Sequence, residues 1–457
     1  MLPKFPLDAR FDLQGAFWSP DTPTERFTGR LARNAGDIEL TTSPILKVPE
    51  GLRDIIDRSP ANIPLLHGFT TEGECTLFYL QSLQLDGLTD FRTMQSLTYR
   101  QFRVGLCVFG LHMPSSSTPF ISSACFGYSG LNEWIPTRPH YSETSDSVSL
   151  TFAKDAPPIF DVCAINIRSR ISFDIIPFLN QRSSGEFGTT NLVHLIVEPA
   201  ELKSIEWILD IGDRFENLFS LLLGTSVTLQ SAAVNKEDHT AWLTRRVRQK
   251  KQKVDPMAWV RCKDSELASA VLLWLSTPEE FRSLENLIYG TIRNSSLFVE
   301  TEFLSLAQAI ESLHRLTDAS TVADRTCFKD VLESLTAEID FLCGDTELRT
   351  RLEESIQHAN EPNFRKRIQG LLGRLNSDQR LKLIGDEAEF EQILRQTRNS
   401  LTHPGIRKGS KVLTGTKEIF LFNQKLHAFL RFLMLIGIGF SGDEVLEPVL
   451  RRMRKWR

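Results

Sequence analysis

The sequence lacks the patterns that mark several classes of protein. Its seven cysteines are odd in number, widely spaced and without a CxxC pair, so neither a disulfide framework nor a zinc site is predicted. Its glycines form neither a P-loop nor a dinucleotide-binding fingerprint. The longest apolar run, Phe429 to Phe440, contains Arg431 and is shorter than a membrane span. The first residues, MLPKFPLDARFDL, lack the apolar core of a signal peptide. We therefore expect a cytoplasmic protein that contacts no membrane and needs no metal or cofactor.

An excess of charge of one sign is also missing. The net charge is only −4, so the whole chain has no general attraction for nucleic acid, and any RNA contact must come from local basic segments. The composition is that of an ordinary globular protein, with 41% hydrophobic and 24% charged residues. Because 457 residues are too many for one ordinary core, we expect two or three domains.

The first half of the chain has the pattern of a β-rich domain. Short alternating or β-branched runs are separated by turn-prone clusters such as Pro-Ser-Ser-Ser at 114–117. The predicted strands are Phe27–Leu31, Asp37–Leu40, Cys75–Leu80, Gln101–Phe109, Ser147–Phe152 and Leu192–Val197. A helix is predicted over Ser204–Leu223. We assign residues 1–240 to a β-sandwich or β-barrel.

From about residue 255 the pattern becomes helical. Asp264 precedes an apolar-periodic run, and Thr277-Pro278-Glu279-Glu280 is typical of a helix start. Further helices are predicted over 297–316, 325–343, 346–359, 361–375, 386–403 and 416–438. The predicted fold class is therefore α+β, with a basic linker at 241–256 and an all-α bundle at 257–457.

One predicted helix contains the most informative segment, Arg398-Asn399-Ser400-Leu401-Thr402-His403. Asp386 is the expected N-cap, and Glu389 is expected to complete a capping box. The apolar face that follows consists of Phe390, Ile393, Leu394, Thr397 and Leu401. Asn399 and His403 fall on the opposite side and Arg398 on the flank, so the polar side chains point away from the core of their own helix.

This hexapeptide has the residue types that RNA cleavage requires. RNA supplies its own nucleophile, the 2′-hydroxyl, so a proton-transfer group near neutral pH and a fixed cation on the phosphate are sufficient. His403 and Arg398 fit these two roles. A structural alternative stays open at this point, in which both side chains stabilise the helix C-terminus through its dipole.

The same hexapeptide resembles the signature of the HEPN ribonuclease superfamily. The upstream stretch Glu302–Arg315 is similar to the early bundle helix of ApeA-type proteins, in which the HEPN domain is C-terminal. Phe11–Trp18, Gly29-Arg30-Leu31, Leu66-His67-Gly68-Phe69-Thr70 and Leu131-Asn132-Glu133-Trp134 resemble parts of the ApeA N-terminal domain. The resemblance covers nearly the whole chain.

The resemblance implies an anti-phage protein that acts by abortive infection. Its C-terminal domain would be a metal-independent endoribonuclease that works as a homodimer through the HEPN domain and cuts host RNA, with tRNA as one candidate. The N-terminal domain would sense an unknown phage trigger or restrain activity. His403 would transfer the proton, Arg398 would clamp the scissile phosphate and Asn399 would orient one of them or the RNA. Glu311 is a supporting residue that would pair with Arg398.

Two basic segments are weaker candidates for RNA binding. Their cations suit contact with the RNA backbone, although a solvated linker and a frayed tail explain them equally well. The candidate cations are Arg245, Arg246, Arg248, Lys250, Lys251, Arg451, Arg452, Arg454 and Lys455. His314 is expected to be an ordinary helix-face residue. Glu300, Glu302 and Glu311 are expected to lie on a solvated helix face rather than in a metal site.

Two rival interpretations belong to other functional classes. In the first, the HEPN domain is not catalytic and binds a nucleotide or a partner protein in a defence or toxin–antitoxin system. In the second, the β-rich half dominates function as a carbohydrate- or protein-binding module. The intact Arg398/His403 pair disfavours the first rival, because a module that only binds need not keep both residues.

Overall fold

The computed structural model divides the chain into two compact units, Met1–Ser276 and Thr277–Arg457. It describes residues 7, 10–34, 36–42, 62–90, 95–135, 139–143, 148–152, 159–164, 167–181, 187–245, 256–261, 263–294, 296–318, 320–403 and 410–454. The N-terminal unit is β-rich and the C-terminal unit is helical, which confirms the predicted fold class.

Strands make up most of the described residues of the N-terminal unit. They are β1 (Asp12–Trp18), β2 (Phe27–Asn34), β3 (Asp37–Thr42), β4 (Asn62–Thr70), β5 (Gly73–Asp90), β6 (Gln95–Val104), β7 (Leu106–Phe109), β8 (Ser123–Tyr128), β9 (Pro139–Glu143), β10 (Val148–Phe152), β11 (Ile159–Ala164), β12 (Ile167–Gln181), β13 (Phe187–Pro199), β14 (Leu229–Lys236) and β15 (His239–Arg245). Four of the six predicted strands fall within single elements. The predicted strand Gln101–Phe109 is divided between β6 and β7 at Gly105, and Ser147 of the predicted strand Ser147–Phe152 lies outside the described residues.

Part of the sheet closes into a barrel. The order β5-β4-β1-β2-β3-β6 returns to β5 through the β5–β6 pairing, so these six strands form a ring without free edges. On its other side β5 continues through β7, β15, β14, β8, β13 and β12 to β11. Of the two architectures that the sequence predicts, sandwich and barrel, the structure therefore has a barrel, and one of its strands continues into a long sheet.

Alternating side chains fill the barrel. In β3, Ile38 and Leu40 are fully buried while their neighbours are partly exposed, as expected for a strand with one face toward a core. The chain leaves the barrel where Gly105 separates β6 from β7, opposite Tyr79. Tyr79 has a positive φ of 56°, so this corner bends the strand sharply.

Within the described residues, three α-helices accompany the sheet. These are α1 (Leu131–Trp134), α2 (Ile205–Leu223) and α3 (Asp264–Leu275). Ser204 caps α2 by accepting a hydrogen bond from the Trp207 amide, as the predicted helix boundary implies. The division into compact units puts α3 in the N-terminal unit, where it packs against α2 and β11. The apolar periodicity of α3 predicts a helix but does not reveal its partner, so the sequence alone places this helix in the helical domain.

The C-terminal unit contains nine further helices within the described residues. They are α4 (Phe281–Arg293), α5 (Val299–Thr317), α6 (Arg325–Leu342), α7 (Thr346–Gln357), α8 (Phe364–Leu372), α9 (Ser377–Leu383), α10 (Glu387–Thr402), α11 (Thr416–Gly437) and α12 (Gly442–Arg454). Helix α5 is central, since α4, α8, α10 and α11 all pack against it. Phe303 of α5, Phe390 of α10 and Phe422 of α11 form a buried aromatic contact at its start.

Helix α11 is long and apolar enough to cross a membrane, but 61% of its most apolar window is buried inside the protein. It is therefore a core helix of the bundle. Helices α9 and α12 were not predicted. The predicted helix start at Thr277-Pro278 is also wrong, because α4 begins at Phe281, after a turn in which the Phe281 amide bonds to the Pro278 carbonyl.

Candidate active site

Helix α10 carries the hexapeptide and is fixed at its start by a single cap. The Asp386 carboxylate accepts a hydrogen bond from the Glu389 amide at 2.7 Å, which confirms the predicted N-cap. The predicted capping box is wrong, because the Glu389 carboxylate accepts a bond from Lys411 Nζ at 2.6 Å instead. Lys411 belongs to the segment that returns along α10.

The same segment holds the end of α10. The Lys411 amide donates to Gln396 Oε1 at 2.9 Å, and the Leu413 amide donates to the buried Thr397 hydroxyl at 3.0 Å. Phe390, Leu394 and Thr397 form the buried face. The helix carrying the hexapeptide is therefore anchored on two sides, by its core face and by the returning chain.

His403 is the C-cap residue of α10 and its side chain is exposed. Its amide donates to the Asn399 carbonyl at 3.0 Å, while the Thr402 hydroxyl donates to the Arg398 carbonyl at 2.9 Å. Asn399 is partly exposed. The placement of Asn399 and His403 away from the buried face agrees with the helical periodicity.

Arg398 lies between an acid and an aromatic ring. Its Nη2 atom is 3.5 Å from Glu311 Oε2 of α5, and its Cζ atom is 5.3 Å from the centre of the Phe364 ring of α8. Both contacts suit a planar guanidinium, which pairs with carboxylates and stacks on aromatic faces. The arginine thus reaches across to neighbouring helices and does not cap the end of its own. About a third of its side chain (35%) remains exposed, so some of its N–H groups can still reach a ligand.

The Arg398–Glu311 pair belongs to a longer chain of ion pairs. Glu311 also lies 3.4 Å from Arg315, which in turn lies 3.1 Å from Glu361. Glu361 also contacts the buried Arg367 at 2.6 Å. The hydrogen bond from His358, followed by the charges of Arg315 and Arg367, holds the pKa of Glu361 below its usual value despite the opposing effect of burial. The guanidinium of Arg398 is thereby tied to α5 and to the start of α8.

A second polar cluster lies between α5 and α11. His427 Nε2 is 2.7 Å from Glu302 Oε1, and the Asn423 amide donates to Glu302 Oε2 at 3.0 Å. Burial acts to raise the pKa of Glu302, but the hydrogen bonds and charge of His427 and Asn423 outweigh it and lower the pKa. The expectation of a solvated face for Glu302 is therefore wrong.

His314 is a packing residue of α5. It is buried, with Nε2 3.3 Å from Asp318 Oδ2, and it packs against Gly370 of α8. A Cβ atom at Gly370 would lie only 2.7 Å from His314 Nε2, so the glycine makes room for the imidazole. The residue serves helix packing, which the helical wheel alone did not reveal. Among the described residues, no group of three or more His, Cys, Asp or Glu side chains could hold a metal ion.

Comparison with known proteins identifies the family. The model described as ApeA N-terminal domain 1 matches residues 12–259, which is more than half of the 457 residues. The chain belongs to the ApeA family. The model described as Apea-like HEPN matches residues 304–444, which include Glu311 and the complete hexapeptide. No curated protein and no solved structure matches the chain. The matches support a defence-related HEPN protein.

The structure describes only some of the candidate RNA-binding cations of this ApeA-family chain. Arg245 ends β15 and forms ion pairs with Asp213 at 2.7 Å and the buried Glu216 at 3.7 Å, so its charge is used within the N-terminal unit. Its assignment to RNA binding is therefore not supported by its contacts. Four candidate cations of the first segment lie outside the described residues: Arg246, Arg248, Lys250 and Lys251.

The C-terminal segment begins as a helix rather than a frayed tail. Arg451 lies on α12 and pairs with Glu447 one turn earlier at 3.1 Å. Arg452 and Arg454 lie on the same helix, whereas Lys455 is outside the described residues.

Sequence reasoning missed three residues around Arg398, namely Phe364, Arg315 and Glu361. A signal for the first was present in Asn363-Phe364-Arg365-Lys366-Arg367, where three cations follow an aromatic residue. Arg365 and Lys366 are exposed next to Phe364. No local pattern could assign Arg315 and Glu361, because their pairing joins residues that are 46 positions apart in the sequence.

Proposed function

We propose that this ApeA-family protein is a metal-independent endoribonuclease that cleaves host RNA, with tRNA as one candidate, during an abortive response to phage. The observation that carries the proposal is the setting of Arg398. A permanent cation is anchored by Glu311 and Phe364 on the helix that ends in the exposed His403. Family membership supports the same conclusion, because the HEPN match spans both residues.

The proposed chemistry uses the RNA's own 2′-oxygen. This oxygen attacks the adjacent phosphorus, the bond to the 5′-oxygen of the next nucleotide breaks, and the products end in a 2′,3′-cyclic phosphate and a 5′-hydroxyl. Arg398 offsets the negative charge that grows on the phosphate. His403 exchanges the proton, because an imidazole can both accept and donate one. Asn399, one turn before His403, orients the imidazole or the RNA backbone.

A single α10 helix does not bring these two groups together. Arg398 and His403 are five residues apart, which corresponds to about 140° around a helix and about 7 Å along it. Within the described part of the chain no hydrogen bond joins their side chains. We therefore assign the active form to a homodimer through the HEPN domain, in which a second copy completes the site.

The N-terminal unit is the proposed sensor or restraint. An unrestrained nuclease would poison its own cell, so a trigger from the phage must relieve the restraint before host RNA is cut. The cytoplasm is the proposed location, because the proposed RNA substrate is there. A match to an ApeA N-terminal domain across residues 12–259 supports this assignment of roles.

Two variants and a matched control test the proposal. His403→Ala and Arg398→Ala are each expected to abolish RNA cleavage by the purified protein and growth arrest in cells, with unchanged thermal unfolding. Arg395→Ala is the control, because Arg395 lies on the same helix but pairs with Glu391, which keeps Arg365 as a second partner. The control is expected to cleave RNA normally. Cleavage by purified His403→Ala protein at the wild-type rate would refute the assignment.

One observation favours a second candidate function. Glu311 already balances the charge of Arg398, and such a neutral pair suits a HEPN module that binds a nucleotide or a partner without cleaving RNA. The same assay separates the two. A wild-type protein that binds RNA or nucleotide but leaves total RNA intact, with the trigger present, would support the binding module.

A further inference from the structure

Helices α6 and α7 form a hairpin that lies outside the core of the C-terminal unit. It covers residues 325–357, and neither helix has a buried residue. The two helices pack against each other, and Arg349 of α7 lies 3.2 Å from Asp340 of α6. Helices α5 and α11, by contrast, contribute many side chains to the bundle core. The hairpin therefore adds surface to the unit rather than core.

The base of the hairpin is fixed to the bundle by hydrogen bonds. The buried Asn360 side chain accepts a hydrogen bond from the Ala323 amide at 2.7 Å and donates to the Ala323 carbonyl at 3.2 Å. The Val322 amide also donates to the Asn360 carbonyl at 2.9 Å. The segments that enter and leave the hairpin are thus held together, so the hairpin offers a preformed surface to a partner.

Exposed apolar side chains follow one flank of the contact between the two helices. The half-buried residues mark that contact and recur at helical spacing, Phe328, Leu332, Thr336 and Ile339 in α6 and Arg349, Glu353 and Ile356 in α7. Five large apolar side chains beside it are exposed, Val331 (47%), Leu335 (44%) and Leu342 (74%) on α6 and Leu348 (50%) and Leu352 (37%) on α7. We call these five residues the hairpin groove.

Helical geometry places the five residues together. At about 100° per residue, Val331, Leu335 and Leu342 lie within about 40° of each other on α6. Leu348 and Leu352 lie on the corresponding flank of α7, because the two helices are antiparallel. Leu342 and Leu348 adjoin the turn of the hairpin, and Leu335 and Leu352 lie one to two helical turns further from it. The groove is therefore long enough for a helix of about three turns.

Acidic side chains border the hairpin groove, and most cations of the hairpin are paired elsewhere. Glu338 is exposed about 20° around α6 from Val331, and Asp345 caps α7 next to Leu348. Among the residues that the structure describes, neither carboxylate forms an ion pair. Three of the four cations pair with acids of the hairpin itself, Lys329 with Glu333, Arg349 with Asp340 and Arg351 with Glu347. The groove thus combines an apolar floor with an acidic rim.

Charge disfavours occupants that are themselves acidic. Residues 325–357 contain four Lys and Arg residues and eight Asp and Glu residues, which gives a net charge of −4. RNA, an anionic membrane and the same hairpin of a second copy would all be repelled. The basic segments of this chain, Arg245–Lys253 and Arg451–Arg457, contain at most two apolar residues each, too few to fill a groove lined by five. A separate protein that supplies both apolar side chains and cations meets both requirements.

We propose that the hairpin groove binds a basic amphipathic helix of a different protein, which completes a three-helix bundle with α6 and α7. Amphipathic helices enter such grooves through apolar residues spaced at i, i+3 or i+4 and i+7. The partner helix buries the exposed leucines, and lysine or arginine at its edge pairs with Glu338 and Asp345. Binding of this partner is separate from RNA cleavage and so goes beyond the proposed function.

The small size of the groove sets the expected strength of the complex. A helix of about three turns against two helices buries less than a standard interface, so we expect a weak, reversible complex. Added salt is expected to weaken it further, because salt screens the attraction between the acidic rim and the cations of the partner. Two hairpins that bound each other would show the opposite response to salt, since their charges repel.

A synthetic peptide tests the groove directly. The probe is a fluorescein-labelled peptide of leucine and lysine, about 18 residues long, whose leucines form one face of a helix. Its binding to the full-length chain, without RNA, is followed by fluorescence anisotropy. One control peptide has the same composition with its leucines distributed around the helix, and the other has glutamate in place of lysine. We expect the probe to bind at least about tenfold more tightly than either control.

Paired variants locate the binding site on the chain. Leu335→Gln and Leu352→Gln each remove an apolar contact from one helix of the groove, and each is expected to weaken binding of the probe about tenfold. Ala337→Gln is the matched control, because the exposed Ala337 lies about 120–160° around α6 from the groove residues. The control is expected to bind the probe like the wild-type chain. Circular dichroism verifies that all three variants keep their helix content.

A charge reversal tests the acidic rim. Glu338→Lys is expected to weaken binding of the lysine peptide at least about fivefold and to strengthen binding of the glutamate peptide. Glu333→Lys makes the same change in net charge, but Glu333 lies at least about 160° around α6 from the groove residues. This control is expected to change the affinity for either peptide little.

Four results separate the possible occupants. Binding that is weakened in both leucine variants, kept in Ala337→Gln and shifted toward the glutamate peptide by Glu338→Lys would support the proposal. No binding of the probe to the wild-type chain, or equal binding by groove and control variants, would overturn it. Self-association that both leucine variants abolish in sedimentation velocity would also overturn it, because a second copy would then occupy the groove. None of these readouts involves RNA, so failure of the proposed nuclease leaves them unchanged.

Discussion

Arg398 is the residue on which the candidate site is built, and its surroundings define what it can do. Glu311 and Phe364 hold the guanidinium from two directions, which reduces the entropy lost when it meets a phosphate. The Glu311 carboxylate also offsets the charge of Arg398, so in the proposed mechanism the scissile phosphate has to compete with it. We regard Glu311 as a positioning residue, because it acts through Arg398 and has no role of its own with the RNA.

Replacing Glu311 tests this role. Glu311→Gln keeps the shape of the side chain but removes its charge, so Arg398 becomes less well oriented. We expect kcat to fall about tenfold, which corresponds to about 1.4 kcal/mol, with a smaller change in KM. Because Arg398→Ala is expected to abolish cleavage, the coupling between the two residues is measured by RNA affinity. In the Arg398→Ala background Glu311→Gln is expected to change the affinity no further, because both substitutions remove one interaction. Equal, additive losses of RNA affinity in the two backgrounds would show that Glu311 acts independently of Arg398.

The sequence predicts single residues well where the cause is local. The Asp386 cap follows from the spacing between a side chain and an amide three residues later. The local spacing of residues does not predict contacts between segments that are distant in the sequence. Glu389 binds Lys411 rather than its own helix start, and Phe364 meets Arg398 from another helix. Sequence periodicity assigns these residues to a face but not to a partner.

Among the elements, α5 is the one to which most of the C-terminal unit is attached. One part of its surface pairs with α11 through Glu302 and His427, and another pairs with α10 through Glu311 and Arg398. Both carboxylates are partly buried between helices. The position of α10, and with it the hexapeptide, therefore depends on polar as well as apolar contacts of α5.

The Glu302–His427 contact makes a pH-dependent contribution to stability. The folded chain holds the Glu302 carboxyl ionised below its ordinary pKa of 4.5, whereas the unfolded chain takes up a proton near that value. The unfolded state thus binds more protons below about pH 4.5, and this contribution is lost as pH falls through the folded pKa. At pH 7 we expect Glu302→Gln to lower the free energy of unfolding by about 1–3 kcal/mol.

Chemical denaturation at a series of pH values measures this effect. The difference between Glu302→Gln and the wild-type chain is expected to shrink below pH 4.5. Glu300→Gln, two positions earlier on α5, is the control and is expected to change stability little. If the difference in free energy of unfolding between the wild-type chain and Glu302→Gln stayed constant at every pH below 4.5, the pKa shift of Glu302 could not be assigned to this contact.

The elements themselves were largely predictable, and the exceptions have physical causes. Helix α9 is short and mostly polar, Ser-Asp-Gln-Arg-Leu-Lys-Leu, so its periodicity is weak. Its start is fixed instead by Asn376, which accepts from the Gln379 amide in a capping box. The sequence does not predict that the barrel closes, because closure depends on the pairing and register of β5 with β6, which no local pattern specifies.

For the whole molecule, the important boundary is the one after α3. Trp274 of this helix is buried, its indole donates to the Arg214 carbonyl at 3.0 Å, and Arg214 in turn donates to the Leu275 carbonyl at 3.0 Å. These bonds join α3 to α2. The structural boundary therefore follows residue 276, later than the linker at 241–256 that composition suggested.

Two fragments test this boundary. A fragment of residues 1–276 is expected to unfold cooperatively on heating. A fragment of residues 1–256 lacks Trp274 and the carbonyl groups that Arg214 binds, so a buried cation loses acceptors at a cost of several kcal/mol. We expect it to unfold at lower temperature or to aggregate. Equal melting temperatures, measured by differential scanning calorimetry, would show that α3 is dispensable to the N-terminal unit.

We propose that His403 and Arg398 promote attack of the RNA 2′-oxygen on the adjacent phosphorus, and the candidate site depends on this step. The most direct measurement incubates the triggered full-length protein with total RNA in EDTA and determines the chemistry of the new ends. We expect discrete fragments with 2′,3′-cyclic phosphate and 5′-hydroxyl ends from the wild-type protein and none from His403→Ala. Fragments with 5′-phosphate ends, or cleavage that EDTA abolishes, would contradict the proposed mechanism.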